Sequence, residues 1–249
     1  MIDNLPNTEI TNYLSNFPLA ESKWKIPCLM VFYLIFVLKI GPAIMRNRGP
    51  VKSIKKYIPY YNVFQIIINA FLIIWALRDF NFAKISLNNL CGNIEPDVEY
   101  TKKFIFLGYL WCMIKISDFL DTIFFILLNK RSHVTFLHVY HHASTMMVAF
   151  VVFRFIKTEQ SLVYAAVNSI VHVVMYTYYL LTSLGYRPTW KKTVTILQLL
   201  QFFSLMFMTI CLTICQRKPE YFYYSIYGIC QCIMYIYLFG KFYYNSYRT

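Results

Sequence analysis

The chain has 249 residues, of which 58% are hydrophobic and only 14% are charged. Soluble domains average about 25% charged residues, so the composition excludes an ordinary soluble protein and indicates a membrane protein. The net charge of +13 does not indicate a nucleic-acid partner, because the basic residues lie in short connectors between apolar runs.

The first 25 residues contain Asp3, Glu9 and Glu21 and have no apolar core. This pattern is not that of a cleavable signal peptide, so we expect no such peptide and expect the first membrane helix to act as the targeting signal. We predict a lumenal segment over residues 1–25, a membrane domain over residues 26–244 and a cytosolic tail over residues 245–249.

Long apolar runs recur along the whole chain. A helix that crosses the bilayer needs about 20 mostly apolar residues. None of the runs alternates polar and apolar residues as a membrane barrel strand must. We therefore predict an all-α, polytopic membrane protein whose seven transmembrane helices form a bundle or barrel. The predicted helices span residues 26–45, 60–77, 104–128, 134–153, 162–184, 194–215 and 221–239.

Lysine and arginine are densest in the connector after the first helix, which carries Arg46, Arg48, Lys52, Lys55 and Lys56 and no acidic residue. Basic connectors face the cytosol, and the first helix usually dominates the orientation. The pattern predicts that the N-terminus is lumenal and that the C-terminus is cytosolic.

Two of the predicted helices carry polar stripes of acids, amides and hydroxyls. The third helix contains KISDFLDT, and at about 100° per residue its polar side chains fall within about 120° of arc. They are Lys115, Asp118, Asp121 and Thr122. The sixth helix contains TILQLLQ, which places Thr195, Gln198 and Gln201 on a similar arc.

Histidines mark the fourth and fifth helices. The sequence HVYHH places His138, His141 and His142 at positions i, i+3 and i+4, which share one face of a helix. His172 lies in the next helix. Its neighbours on the same side are Asn168, Met175, Tyr176 and Tyr179.

Polar groups in hydrocarbon must face each other or a wet cavity, so the four stripes predict one polar chamber that opens to the cytosol. Some members have a purely structural alternative. Gln198 and Gln201 could join helices by hydrogen bonds, and Asp118 and Asp121 could simply pair with Lys115. A proton-coupled transporter or a receptor is the alternative function, although no internal repeat of the transporter kind is visible.

The histidines themselves allow two kinds of chemistry. Three histidines could bind a single zinc ion on ligand count, but their spacing without a nearby glutamate matches no familiar zinc motif, so we expect no metal. A buried imidazole is expected to be mostly neutral, and a neutral imidazole is both a base and a nucleophile for acyl transfer.

Four motifs together resemble one family. HVYHH resembles the HxxHH box of the ELO family of very-long-chain fatty acid elongases. KISDFLDT resembles that family's KxxExxDT, HVVMYTYY resembles its HxxMYxYY, and TILQLLQ resembles its TxxQxxQ. The motifs follow one another in the family's order and with its spacing. The similarity covers about residues 24–244. LHVYHH and PTWKK look most like insect members.

The resemblance implies an enzyme of the endoplasmic reticulum membrane that condenses a long-chain acyl-CoA with malonyl-CoA. The products would be a 3-oxoacyl-CoA two carbons longer, CO2 and CoA, with no further cofactor. The helices would enclose an acyl-chain tunnel. Expected partners are both CoA substrates, the lipid bilayer, the other enzymes of the elongation cycle and a second copy of the chain.

The family pattern also implies residue roles. His141 would attack the thioester, while His138 and His142 orient it or move protons with Asp121. His172 and Asn168 would help hold the malonyl thioester and its enolate oxygen. Lys115, Asp118, Thr122, Asn168, Tyr176, Tyr179, Gln198 and Gln201 are expected to contact substrate. Asp118 stands where the family usually has Glu, which is one methylene longer.

Overall fold

The computed structural model describes residues 8–19, 21–79, 98–156, 159–215 and 219–247, and every regular element in these ranges is helical. The helices are α1 (Thr8–Ser15), α2 (Lys25–Ile35), α3 (Gly41–Ile44), α4 (Ile58–Asp79), α5 (Val98–Ser117), α6 (Phe119–Leu127), α7 (Phe136–Val151), α8 (Glu159–Ser183), α9 (Lys191–Cys215) and α10 (Pro219–Tyr247). π-Helical turns at Phe36–Ile40 and Val152–Ile156 continue α2 and α7.

Six helical stretches in these ranges are long and apolar enough to cross a membrane. They are Lys25–Ile44, Ile58–Arg78, Phe136–Arg154, Leu162–Ser183, Lys191–Cys211 and Phe222–Tyr247. The prediction of an all-α protein with several membrane helices is confirmed for the described residues. The last helix continues past its predicted end at Phe239 to Tyr247, because the aromatic pattern continues through Tyr243 and Tyr244.

The third predicted helix differs from its prediction. Residues 104–128 were expected to form one helix, but α5 ends at Ser117 and α6 starts at Phe119. At the break the Asp121 amide donates to the Asp118 carbonyl at 3.2 Å, a tighter turn than the α-helical pattern. α5 also carries Glu99, Lys102, Lys103 and Lys115, too much charge for a plain apolar span. A seventh crossing therefore stays a prediction.

Contacts group the chain into two compact units. Unit 1 comprises Met1–Tyr57 and Pro96–Leu162, and unit 2 comprises Ile58–Glu95 and Val163–Thr249. The core of unit 1 is built from side chains of α2 with its π-helical turn, of α5, α6 and α7, and of the residue that follows α3. It contains Ile26, Tyr33, Val37, Met45, Cys112, Phe119, Ile126, Val139, Met146 and Phe150.

Helix α1 packs on the N-terminal half of α5 in unit 1. Its buried residues Ile10 and Leu14 contact the cluster of Ile105 and Phe153. Lys102 Nζ donates to Glu9 Oε1 at 2.7 Å and to Glu99 Oε1 at 3.0 Å. Both hydrogen bonds raise the pKa of Lys102, because both carboxylates favour the ammonium form. The hydrogen bond to Glu9 has the larger effect and that to Glu99 the next.

Unit 2 is built from α4 and the three longest helices, α8 to α10. The ring of Phe202 on α9 lies 4.9 Å from that of Tyr235 and 5.1 Å from that of Phe239, centroid to centroid, on α10. The hydroxyls of Tyr164 on α8 and Thr209 on α9 lie 2.8 Å apart. Aromatic packing and a partly buried hydroxyl pair therefore join these helices.

Gly41, where the π-helical turn meets α3, has little room for a side chain. A Cβ atom there would lie 3.1 Å from Ile126 Cγ2 and 3.1 Å from the carbonyl oxygen of Phe36. The Gly41 amide also donates to that carbonyl, which limits how far it can move. We expect Gly41→Ala to destabilise the protein by about 1–3 kcal/mol, measured as a lower melting temperature in detergent.

Gly240→Ala is the matched control, because Gly240 also lies in a helix but a Cβ atom there would meet nothing within 4 Å. Alanine has a helix propensity about 1 kcal/mol more favourable than glycine, so this variant should melt at or above the wild-type temperature. Equal melting temperatures for the two variants would show that the packing at Gly41 does not matter.

Candidate functional site

The three histidines of HVYHH lie in the first two turns of α7. Thr135 caps this helix, since its hydroxyl accepts a hydrogen bond from the His138 amide at 3.2 Å. The ring centroids of His138 and His142 lie 4.3 Å apart, and those of His141 and His142 lie 5.7 Å apart. The predicted grouping of His138, His141 and His142, hereafter the histidine cluster, is present.

Thr122 of α6 links the histidine cluster to α2. Its side chain is fully buried, and its Oγ1 lies 2.9 Å from His138 Nε2 and 2.8 Å from the Tyr33 hydroxyl. The ring of Tyr33 stacks on Phe119 with centroids 3.8 Å apart. Three helices of unit 1 therefore fix the position of the His138 ring.

A buried ion pair lies at the break between α5 and α6. Lys115 Nζ donates to Asp118 Oδ2 at 3.0 Å, and the two side chains are 1% and 4% exposed. Asp121, one turn further along, is partly buried. The predicted polar stripe of the third segment thus includes an ion pair at the helix break and a hydroxyl, Thr122, that contacts a histidine.

The hydroxyls that follow the histidine cluster are bound to the backbone. Thr145 Oγ1 donates to the His141 carbonyl at 2.7 Å, and Ser144 Oγ donates to the Tyr140 carbonyl. A hydroxyl whose proton is held by a backbone carbonyl on its own helix is a poor nucleophile without a neighbouring base. The imidazoles are therefore the nucleophile candidates in this part of unit 1.

The predicted residues of the fifth helix lie in unit 2, on α8. Asn168, His172 and Tyr176 are buried. The His172 and Tyr176 rings are 5.7 Å apart, centroid to centroid. Tyr179 contacts Tyr176 with centroids 5.9 Å apart, but its side chain is 38% exposed, so it lies at the edge of this group. The meeting of all four intramembrane histidines stays a prediction.

A row of hydrogen-bonded polar side chains on α4 was not among the sequence predictions. Gln65 Nε2 donates to the Tyr61 hydroxyl at 2.8 Å, and Asn69 Nδ2 donates to the Gln65 carbonyl at 2.8 Å. The Tyr61 hydroxyl lies 3.3 Å from that of Tyr176. Tyr61, Gln65 and Asn69 stand at positions i, i+4 and i+8 of YYNVFQIIINA and so share one face of the helix. The same spacing rule that identified the other polar stripes could have identified this one.

The amides of the sixth predicted helix have different surroundings. Gln198 Nε2 lies 3.6 Å from the sulfur of Met175, and Gln201 is buried. The Thr195 hydroxyl lies 3.5 Å from that of Tyr247, a long contact. The contact of Gln198 joins α9 to α8, as the helix-joining alternative expects, and a role in substrate binding stays a prediction.

Two buried polar atoms on α8 are unsatisfied among the described residues. Asn168 Oδ1 and Ser169 Oγ have no hydrogen-bond partner there. A buried acceptor without a partner costs free energy, so these atoms suit contact with a polar ligand. In the same ranges, no group of three or more His, Cys, Asp or Glu side chains is arranged to hold a metal ion.

Comparison with known proteins gives one consistent result. Residues 18–249 match the ELO family, described as the GNS1/SUR4 family. The chain is 30% identical over 241 residues to very long chain fatty acid elongase F of Drosophila melanogaster, covering 92% of this chain and 91% of that protein. It is 30% identical over 246 residues to human very long chain fatty acid elongase 4, covering 94% and 75%. Identity to elongase 5 of Xenopus tropicalis is 31% over 225 residues, covering 86% and 72%.

We expect the buried ion pair of Lys115 and Asp118 to matter for stability. Asp118→Asn removes the carboxylate that pairs with the buried Lys115 side chain, and breaking a buried pair in this way costs about 3–5 kcal/mol. The double variant Lys115→Met/Asp118→Asn removes both charges and should recover much of this loss. Thermal unfolding of the purified variants in detergent measures both effects.

The exposed ion pair of Lys102 with Glu9 is the control, because solvent screens it. Lys102→Gln should leave the melting temperature close to that of the wild type. A double variant at positions 115 and 118 that is no more stable than Asp118→Asn would contradict a simple pairing between these two residues.

Proposed function

Since this chain belongs to the ELO family, we propose that it is a very-long-chain 3-oxoacyl-CoA synthase, the condensing enzyme of fatty acid elongation. It joins a long-chain acyl-CoA to malonyl-CoA and releases a 3-oxoacyl-CoA two carbons longer, CO2 and CoA. The single observation that carries the proposal is the histidine cluster, in which three imidazoles meet at the start of one membrane helix. The names of the relatives support the class of substrate.

In the first step, we assign the nucleophile to His141. One imidazole nitrogen attacks the acyl thioester carbon, the C–S bond breaks, and the CoA thiolate leaves as an acyl-imidazole forms. The proton released from the ring goes to a neighbouring base of the site, for which His142 and Asp121 are the candidates. His138 is less suited to attack, because its Nε2 is already bound to Thr122 at 2.9 Å.

In the second step, malonyl-CoA loses CO2 and the electron pair of the broken C–C bond forms an enolate. The enolate carbon attacks the acyl carbon, the imidazole leaves, and the 3-oxoacyl-CoA is complete. Donors that hold the enolate oxygen lower this barrier, and the family pattern assigns that role to His172 with Asn168. Water must be kept out, since it would hydrolyse the acyl-imidazole or protonate the enolate.

The substrates need no further cofactor, and both carry the polyanion CoA. The connector with Arg46, Arg48, Lys52, Lys55 and Lys56 is a basic surface that would attract CoA. We place it on the cytosolic face of the endoplasmic reticulum, with the N-terminus lumenal, the C-terminus cytosolic and a seventh crossing through α5 and α6. The acyl chain would lie in a tunnel between membrane helices. The other enzymes of the elongation cycle and a second copy of the chain are the proposed protein partners.

Activity is tested by expressing the chain in an elongase-deficient cell and incubating its microsomes with labelled malonyl-CoA and acyl-CoA. Label should enter lengthened acyl chains. His141→Ala should lower this incorporation by roughly 10²–10⁴-fold, the usual contribution of a positioned acid, base or nucleophile. His133→Ala is the control, because His133 is exposed and lies before α7. Transport of label without any new lipid would instead identify a carrier.

The covalent step has its own test. Incubation with acyl-CoA alone should acylate His141, which mass spectrometry detects in the tryptic peptide of residues 132–154. Fragmentation of that peptide separates His141 from the other histidines, and His141→Ala should remove the modification. An unmodified His141 in an enzyme that still elongates would show that the histidines act only as general bases.

A further inference from the structure

Tyr33, Thr122 and His138 form a hydrogen-bonded chain whose direction can be worked out. The Tyr33 side chain is only 4% exposed, and its ring is stacked on Phe119. Among the described residues, its hydroxyl has one hydrogen-bond partner, Thr122 Oγ1 at 2.8 Å. A buried phenol hydrogen needs an acceptor, so Tyr33 donates and Thr122 accepts.

The direction at Tyr33 fixes the next bond. A threonine hydroxyl has a single hydrogen and two acceptor lone pairs. Thr122 Oγ1 accepts from Tyr33 on one side, and on the other it lies 2.9 Å from His138 Nε2. Its own hydrogen therefore completes the chain when it points to Nε2, which must then be the unprotonated nitrogen of the ring.

We propose that Tyr33 is a positioning residue that acts through Thr122 to hold His138 in the tautomer with the proton on Nδ1. The opposite order would have His138 Nε2–H donate to Thr122 and Thr122 donate to Tyr33. The phenol hydrogen would then be buried with no acceptor among the described residues. An unsatisfied buried donor shifts such an equilibrium by roughly 10- to 100-fold, in favour of the Nδ1–H form.

The tautomer decides what His138 can do in the reaction, and this consequence rests on the proposed function. With Nε2 bound to Thr122 and Nδ1 protonated, neutral His138 has no free lone pair. It can neither attack a thioester nor accept a proton at Nδ1, but it can donate one hydrogen bond. His138 is thereby a donor beside the His142 ring, 4.3 Å away between centroids. Nucleophilic attack is left to another member of the histidine cluster.

The tautomer can be measured without any activity assay. The full-length protein is labelled with ¹⁵N in its five histidine rings, and proton-coupled nitrogen spectra distinguish protonated from unprotonated ring nitrogens. His138→Gln identifies the His138 signals by their loss. We expect wild-type His138 to carry its proton on Nδ1. A proton on Nε2 in the wild type would overturn the proposal, whether or not the protein elongates fatty acids.

Variants then test the role of Tyr33. Tyr33→Phe keeps the stacked ring but removes the donor, so the ratio of the Nε2–H form of His138 to its Nδ1–H form should rise roughly tenfold. Thr122→Val should have the same effect, while Thr122→Ser keeps a hydroxyl and should preserve the wild-type tautomer. Tyr109→Phe is the matched control, because Tyr109 packs against Phe17 and Phe153 and has no hydrogen bond through its hydroxyl among the described residues.

Kinetics supply the second readout. Tyr33→Phe should lower kcat by roughly 2- to 10-fold with an unchanged KM for both CoA substrates, and Tyr109→Phe should change neither. If Tyr33→Phe shifts neither the tautomer nor kcat, Tyr33 serves packing alone. If the tautomer responds to Tyr33→Phe but the wild-type protein does not elongate fatty acids, the proposed function fails and the positioning role of Tyr33 stands.

Discussion

Every polar group that a membrane helix buries must find a partner inside the protein, because hydrocarbon offers none. This requirement organises unit 1. Lys115 is paired with Asp118 at 3.0 Å, and the helix is interrupted between α5 and α6 at the residue that carries this carboxylate. One turn later, Thr122 is satisfied by Tyr33 and by His138. Asp118 and Thr122, one turn apart, thus pair with a buried ammonium and orient an imidazole.

Periodicity and apolar length predicted most of the fold, because these are properties of single helices. The fourth helix shows this: residues 134–153 were predicted, and α7 with its π-helical turn runs from Phe136 to Ile156. The third segment was wrongly predicted as one helix. Its turn tightens at Asp118 beside a buried ion pair. The pairing itself is visible in the i, i+3 spacing of Lys115 and Asp118, but apolar length and periodicity carry no signal for an interruption of the helix there.

The candidate site was predictable to the extent that its residues are unusual in a membrane. Histidine, lysine and aspartate stand out in apolar runs, so the histidine cluster and the ion pair of Lys115 could be found from the sequence. Tyr33 could not, because it is one of 22 tyrosines and nothing in its neighbours KIPCLMVFYLI separates it from those that face lipid. Only its contact with Thr122, 89 positions away in the sequence, gives it a role.

Three adjacent imidazoles on one helix are chemically identical in sequence, and their partners make them different. A ring whose Nε2 accepts a hydrogen bond is committed to the opposite tautomer and cannot use that lone pair for attack. His138 is in this position through Thr122, while His141 lies one turn further along α7 and its backbone carbonyl accepts a hydrogen bond from Thr145. The functional division within HxxHH is therefore set from outside the motif, by a hydroxyl on α6 and a phenol on α2. An alanine at either place would leave the motif intact in sequence and remove the contact that distinguishes its first histidine from the other two.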